Sequence, residues 1–264
     1  MKYKLVAMDM DGTLLNSEKQ ITEYTQNIIN KASQNGVKFA VVSGRSTPSL
    51  SRFEFLKNLG TPAIAYNGGK IVELDTGKVL FEKGLDADIA ERLLKMGIER
   101  GSTICCWSMD KFYTDKLDDR SERYGRLSGM APTLFDDCHT IAQQGLTKMI
   151  WYDSAEKVQE NIKYLDSLNI DSINYCTSDP RYLEIMNKEV SKAESLKKLG
   201  EFYGITPDEI IAVGDGENDL SMLSIAGLSV AMQNASDFVK EHCDYITDTN
   251  DNDGVAKMVE KYCL

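Results

Sequence analysis

The chain predicts an α/β fold: a doubly wound, Rossmann-like parallel sheet with a second α/β segment inserted into it. Three observations lead there. The first 82 residues alternate short apolar runs with helical periodicities. The same rhythm resumes after Glu189. Between them lies a stretch of different character that holds both tryptophans, Trp107 and Trp151. Alternating β and α patterns imply a parallel sheet with helices on both faces, and right-handed crossovers limit how it can be wound.

Lys4 to Met10 is an apolar run of the kind a buried parallel strand requires. Ile21, Tyr24, Ile28, Ile29 and Ala32 recur at helical spacing, with Gly36 as the stop. Val37 to Val42 is a second strand ending at Ser43-Gly44. Thr47-Pro48 reads as N-cap and first helical residue of a helix carrying Leu50, Phe53 and Leu56 on one face. Ala63 to Tyr66 is a third strand, and Lys70 to Leu74 with Lys78 to Phe81 is a hairpin around Asp75-Thr76-Gly77. The middle stretch reads as helices at Asp86 to Arg100 and Ser154 to Leu168, with strands at Thr103 to Trp107, Lys148 to Tyr152 and Tyr182 to Met186. After it come a helix from Lys192 to Tyr203, a strand from Ile210 to Val213, a helix from Asp219 to Ile225 and a strand from Leu228 to Met232. The economical partition is a core of residues 1–82 and 188–264, with an α/β cap of residues 83–187 inserted into it.

Composition narrows the function. Hydrophobic content of 42% and charged content of 27% are ordinary for a globular chain of 264 residues. No apolar run approaches the length of about 18 residues that a membrane helix needs. Met1-Lys2-Tyr3-Lys4-Leu5 lacks the apolar stretch of a signal peptide, so a cytoplasmic location is expected. A formal charge of −11 disfavours nucleic acid and anionic membrane, which select basic surfaces. A small molecule remains as the expected partner, with the chain as a monomer or small homo-oligomer. Six cysteines with no CxxC pair read as reduced, buried thiols.

Ligands of such sheets bind beyond the carboxyl ends of the strands. Four of those ends carry Asp9-Met10-Asp11-Gly12-Thr13, Ser43-Gly44-Arg45, Asn67-Gly68-Gly69 and Gly214-Asp215-Gly216-Glu217-Asn218-Asp219. Carboxylates crowded into one crevice must protonate or take up a cation. An all-oxygen set without histidine selects a hard cation, Mg²⁺ foremost. That cation would also let an acidic protein accept a phosphate. Ser43 and Gly44 before a helix make an anion cradle, and Lys192 adds a point positive charge. Arg45 reads equally well as a brace for carboxylates, and Asn67 as a plain turn residue.

The Asp-x-Asp-Gly-Thr run makes a resemblance plain. Val6-Ala7-Met8-Asp9-Met10-Asp11-Gly12-Thr13-Leu14-Leu15 resembles the first motif of the haloacid dehalogenase-like phosphatases, in their Cof-type sugar phosphatase subgroup (subclass IIB). Val42-Ser43-Gly44-Arg45 is similar to their second motif, Val190-Ser191-Lys192-Ala193 to the third and Val213-Gly214-Asp215-Gly216-Glu217-Asn218-Asp219 to the fourth. Asp253-Gly254-Val255-Ala256 and the position of the insert fit the same subgroup, while Ala193 departs from the Gly that many relatives carry. The resemblance implies that Asp9 is nucleophile and metal ligand. It implies that Asp11 is general acid and base, reaching the metal through its backbone carbonyl. Met10, Ser43, Gly44, Lys192 and Asn218 would contact phosphate; Asp215 would ligate the metal and Asp219 support it, with Arg45 and Asn67 as possible helpers. The implied reaction is Mg²⁺-dependent hydrolysis of phosphomonoesters, sugar phosphates ahead of pyridoxal phosphate and nucleotides. A phosphotransferase or phosphomutase, and a non-catalytic phosphometabolite sensor, are the alternatives; the pair Asp9 and Asp11 speaks against a sensor.

Overall fold

The structure is a computed structural model that describes residues 2–60 and 62–264. Strand β1 (Leu5–Met8) is buried at every position. Helix α1 (Glu23–Gln34) starts where the Thr22 side chain accepts from Thr25 N, and leads to β2 (Lys38–Val42). The single helix expected from Thr47 is instead two short ones, α2 (Thr47–Leu50) and α3 (Glu54–Asn58). The cap is Ser46, not Thr47, and the Ser51 hydroxyl donates back to the Thr47 carbonyl before the chain turns extended at Phe53. Such local side-chain bonds compete with helix propagation. Strand β3 (Pro62–Ala65) runs into a single 3₁₀ turn at Tyr66–Gly68, followed by β4 (Lys70–Glu73) and β5 (Val79–Glu82).

The middle of the chain forms α4 (Ala87–Glu99), β6 (Thr103–Ser108), β7 (Lys111–Thr114), α5 (Asp119–Ser128), β8 (Thr133–Leu134) and α6 (Cys138–Gln143). It continues with β9 (Lys148–Tyr152), α7 (Ala155–Leu168), β10 (Ile173–Cys176) and β11 (Tyr182–Asn187). The last part holds α8 (Lys192–Tyr203), β12 (Ile210–Gly214), α9 (Leu220–Leu223), β13 (Leu228–Ala231), α10 (Asp237–Glu241), β14 (Tyr245–Ile246) and α11 (Gly254–Cys263). Two compact units emerge. One comprises Met1–Gly44, Phe53–Leu80 and Ser191–Leu264; the other comprises Arg45–Arg52 and Phe81–Val190.

The first unit is built on the sheet ordered β14-β13-β12-β1-β2-β3-β4-β5. All pairings from β14 to β3 are parallel, and β4 joins antiparallel as the first strand of the hairpin. Strand order runs outward both ways from β1 and β12, so right-handed crossovers put α1 and α9 on opposite faces. Helix α11 packs on α1, and α8 on α9. The mixed α/β class expected from the alternation is the class observed. The inner strands are continuously buried because both faces are covered.

The second unit has the sheet order β10-β11-β9-β6-β7-β8, antiparallel except where β7 meets β8. Alternation sends Ile104 and Cys106 into an apolar core with Leu93, Leu94, Met149, Trp151, Leu183 and Ile185. Trp107 points to the opposite face, stacks on Phe112 at 5.5 Å and donates its indole N–H to the Tyr124 hydroxyl at 3.0 Å. Both tryptophans are therefore packing residues. All six cysteines are unbridged, but only Cys105, Cys106 and Cys263 are fully buried; Cys138, Cys176 and Cys243 are half-buried.

Candidate active site

Because β1, β2, β3, β12 and β13 run parallel, their carboxyl ends share one edge of the sheet. Asp9 leaves β1 with its N–H on the Val213 carbonyl at 2.9 Å and is only 7% exposed. The chain then folds back: Leu14 N donates to Asp9 O at 3.3 Å and Leu15 N to Met10 O at 2.9 Å. Gly12 sits at the tip with φ +79°, and a Cβ there would fall 2.3 Å from Asp215 Oδ2. Only glycine allows the Asp215 carboxylate so close. Thr13 next to it donates its hydroxyl to Asp215 Oδ1 at 2.8 Å.

Oxygens of Asp9, Asp215 and Asp219 lie within 4.8 Å of one another, the one such group among the described residues. Lys192 opens α8, which Ser191 caps, and its buried Nζ donates to Asp9 Oδ1 and to Asp219 Oδ1, both at 2.5 Å. Asp219 Oδ2 accepts the backbone N–H of Asp215 at 3.1 Å and of Gly216 at 2.9 Å, so both of its oxygens are engaged by the protein. Burial drives the Asp9 carboxyl well above the usual carboxylate range; the charge of Asp219 adds to that and Lys192 opposes it. Burial also lifts Asp215 to about 6, against the Thr13 hydrogen bond and with the charge of Asp219. Burial alone would lower Lys192, but the charges of Asp219 and Asp9 outweigh it and hold the ammonium above its ordinary value. Three carboxylates against one ammonium leave a formal excess of negative charge that a divalent cation fits.

The structure keeps the Asp11 side chain out of that trio. It lies on the exposed side, where Oδ1 accepts from Lys19 Nζ at 3.1 Å. Met10 has a fully buried side chain, so it can offer only backbone to a ligand. Asn218 is half-buried in the turn Glu217–Asp219, with Oδ1 folded over Gly216. Ser43 is buried at the end of β2; its N–H donates to Ile64 O at 2.8 Å and its carbonyl accepts Asn67 N–H at 2.9 Å. The Asn67 amide packs on Gly44, where a Cβ would lie 2.9 Å from Asn67 Oδ1. Arg45, half-buried, donates to the Ser49 hydroxyl at 3.3 Å.

Asn67 lies in a strained turn. Tyr66 and Asn67 both have φ +55° and Gly68 has φ +109°, a run of left-handed backbone that strains non-glycine residues. Ser195 locks it by donating its hydroxyl to Gly68 O at 2.6 Å, and a Cβ on Gly68 would meet Ser191 O at 2.3 Å. Gly68→Ala should therefore cost about 1–3 kcal/mol, since neither the dihedral nor the backbone neighbour can yield cheaply. A thermal melt checks it, and a variant as stable as the parent would mean that the turn rearranges. Sequence reasoning missed Thr13 as a carboxylate partner and Ser195 as the lock. Thr13 was signalled only by adjacency to the aspartates, and Ser195 by nothing local.

A buried carboxylate cluster, bridged by one lysine, thus lies at the carboxyl edge of a parallel sheet, where ligands of such folds bind. The family model described as haloacid dehalogenase-like hydrolase matches residues 6–259. The chain belongs to this family, in its Cof-type branch, and is a phosphatase. It is 30% identical over 261 residues to the 5-amino-6-(5-phospho-D-ribitylamino)uracil phosphatase YcsE of Bacillus subtilis, covering 99% of this chain and 96% of that one. A crystal structure of a haloacid dehalogenase-like hydrolase from Bacteroides thetaiotaomicron superimposes with TM-score 0.87 at 33% identity, over 98% of this chain and 99% of that chain. The chain also matches the chloroplastic endoribonuclease YBEY of Arabidopsis thaliana at 31% identity, where it spans only 47% of that protein's length. The family generally uses a divalent metal and acts on small phosphorylated substrates. Among the described residues, no helix is long and apolar enough to cross a membrane.

Proposed function

We propose that the protein hydrolyses small phosphomonoesters, sugar or polyol phosphates foremost, with Mg²⁺ and through an aspartyl-phosphate on Asp9. The observation that carries this reading is the charge imbalance of the trio Asp9, Asp215 and Asp219 against Lys192. Asp9 and Asp215, with the backbone carbonyl of Asp11, would hold the cation; Asp219 serves as the counter-charge that fixes Lys192 and the Asp215–Gly216 turn. When bound, Mg²⁺ supplies charge neutralisation between the carboxylates and the phosphate.

With Oδ1 committed to Lys192, attack on phosphorus falls to Asp9 Oδ2, which bonds to phosphorus as the ester oxygen departs. Asp11, on the exposed side, protonates the departing alkoxide and then takes a proton from the water that cleaves the acyl phosphate. Ser43, Gly44, Lys192 and Asn218 would hold the phosphoryl oxygens. The relative from B. subtilis is named for a phosphate on a ribityl chain, which supports a phosphorylated polyol or sugar here. The net charge of −11 supports a small molecule rather than nucleic acid as substrate.

The test is p-nitrophenyl phosphate turnover by enzyme stripped with EDTA, which should be silent until Mg²⁺ is added. Full activity after exhaustive chelation would overturn the reading. Because Asp215 titrates near 6 and only its ionised form binds a cation, Mg²⁺ affinity should fall as pH drops through about 6. Calorimetric titration at pH 5.5 and 7.5 measures this, and equal affinities would remove Asp215 from the ligand set. We propose further that residues 83–187 select the ester. Polar substitutions there should redistribute kcat/KM among sugar phosphates while sparing acetyl phosphate; equal loss on both would assign the segment to the reaction itself.

A further inference from the structure

A fifth strand end reaches the same edge of the sheet. Strand β13 pairs in parallel with β12, Ala231 opposite Gly214, and Met232 N–H donates to the Gly214 carbonyl at 3.0 Å. Two residues on, the Asn234 side chain donates Nδ2–H to the carbonyl of Gly12 at 2.8 Å, and its Oδ1 accepts the backbone N–H of Asn250 at 3.1 Å. Asn250, just beyond β14, donates its own Nδ2–H to the carbonyl of Leu15 at 2.8 Å. The turn from Asp9 to Leu15 satisfies its inner carbonyls, those of Asp9 and Met10, from within. The carbonyls of Gly12 and Leu15 instead depend on two asparagine amides from more than 200 residues away in sequence.

Gly12 is the softest point of that turn, because glycine visits both signs of φ with little penalty. Its carbonyl and the Thr13 N–H belong to one rigid peptide plane. A hold on the carbonyl therefore fixes the plane, and with it the Thr13 hydroxyl that aligns Asp215 Oδ1 at 2.8 Å. We infer that Asn234 is a positioning residue that orients the Gly12–Thr13 peptide, and thereby Asp215, with the backbone N–H of Asn250 holding Asn234 in place. In its kinetic part this inference rests on the phosphatase reading; its metal-binding part does not.

Asn234 is exposed, so truncating it should leave the protein folded. Asn234→Ala in the full-length chain should weaken Mg²⁺ binding, measured calorimetrically with the metal alone, by about three- to tenfold, the worth of one hydrogen bond. It should lower kcat on p-nitrophenyl phosphate by a similar factor with KM nearly unchanged, since orientation and not ester binding is lost. Asn250→Ala keeps the backbone N–H that Asn234 accepts and removes only the amide on the Leu15 carbonyl, so it should leave Mg²⁺ affinity and kcat nearly unchanged. A lowered melting temperature with unchanged Mg²⁺ affinity and kcat would make Asn234 a loop fastener and overturn the inference, as would an equal loss of Mg²⁺ affinity in Asn250→Ala. If the wild type turned over no phosphate ester, the phosphatase reading would fall, while the Mg²⁺ titrations would still decide the role of Asn234.

Discussion

Asp9→Asn should abolish turnover and, in the metal-free protein, leave the fold at least as stable as before. The two halves have one cause. Asp9 is buried beside Asp219 and Asp215, and its carboxyl is pushed well above the ordinary range. A folded-state value above the unfolded one means that the native protein binds the proton more tightly. The associated stability is present at low pH and lost as pH rises through the folded value. Once pH passes that folded value, the ionised carboxylate is a burden on the metal-free fold, and neutral Asn removes it while keeping the shape. Loss of a covalent nucleophile costs on the order of 10⁶-fold in kcat, whereas Asp11→Asn, which removes only proton transfer, should cost about 10²–10⁴-fold. Single-turnover assays and melts at pH 7.5 in EDTA check both halves. Residual activity of Asp9→Asn within about tenfold of wild type would transfer the nucleophile's role elsewhere. A marked drop in melting temperature would show that the carboxylate stabilises the site.

How much of this was legible beforehand follows from how local each signal is. The four strand ends were readable because each packs its functional groups into a few consecutive residues after an apolar run. Helix α8 could be bounded at both ends because Ser191 caps it and Gly204 closes it in left-handed backbone. Helix α5 could not be seen: its buried face is Ser121, Gly125 and Ser128, so no apolar periodicity marks it. At the break between α2 and α3 the Ser51 hydroxyl reaches back to the Thr47 carbonyl and Phe53 turns extended, details that no apolar spacing reveals. The partners of the site residues were the least legible. Thr13 on Asp215, Ser195 on Gly68 and Asn234 on Gly12 are contacts made by the fold, over separations of 202, 127 and 222 residues. The positive φ of Tyr66 had no signal at all, since a bulky aromatic is the wrong residue for it.

Lys192→Met should destabilise the protein by about 3–5 kcal/mol at pH 7.5, the usual result of stripping one partner from a buried ion pair. Its ammonium is almost wholly buried and bridges Asp9 and Asp219 at 2.5 Å each, so its loss leaves two buried carboxylates facing each other without a cation. For a chain of this size that corresponds to a fall of roughly 10 °C in melting temperature. The pH dependence separates this cause from simple repacking. The folded-state value of Lys192 is raised, so its contribution is fully present below its unfolded value and is lost only at strongly alkaline pH. In the wild type the bridge therefore persists across the neutral range. In the variant Asp9, already displaced upward, takes a proton more readily still, and protonation removes the repulsion. The gap between variant and wild type should then narrow as pH falls. Adding Asp9→Asn to Lys192→Met should recover part of the loss at pH 7.5 for the same reason. A deficit that is constant with pH and untouched by Asp9→Asn would mean that the methylene stem of Lys192, rather than its charge, holds the site together.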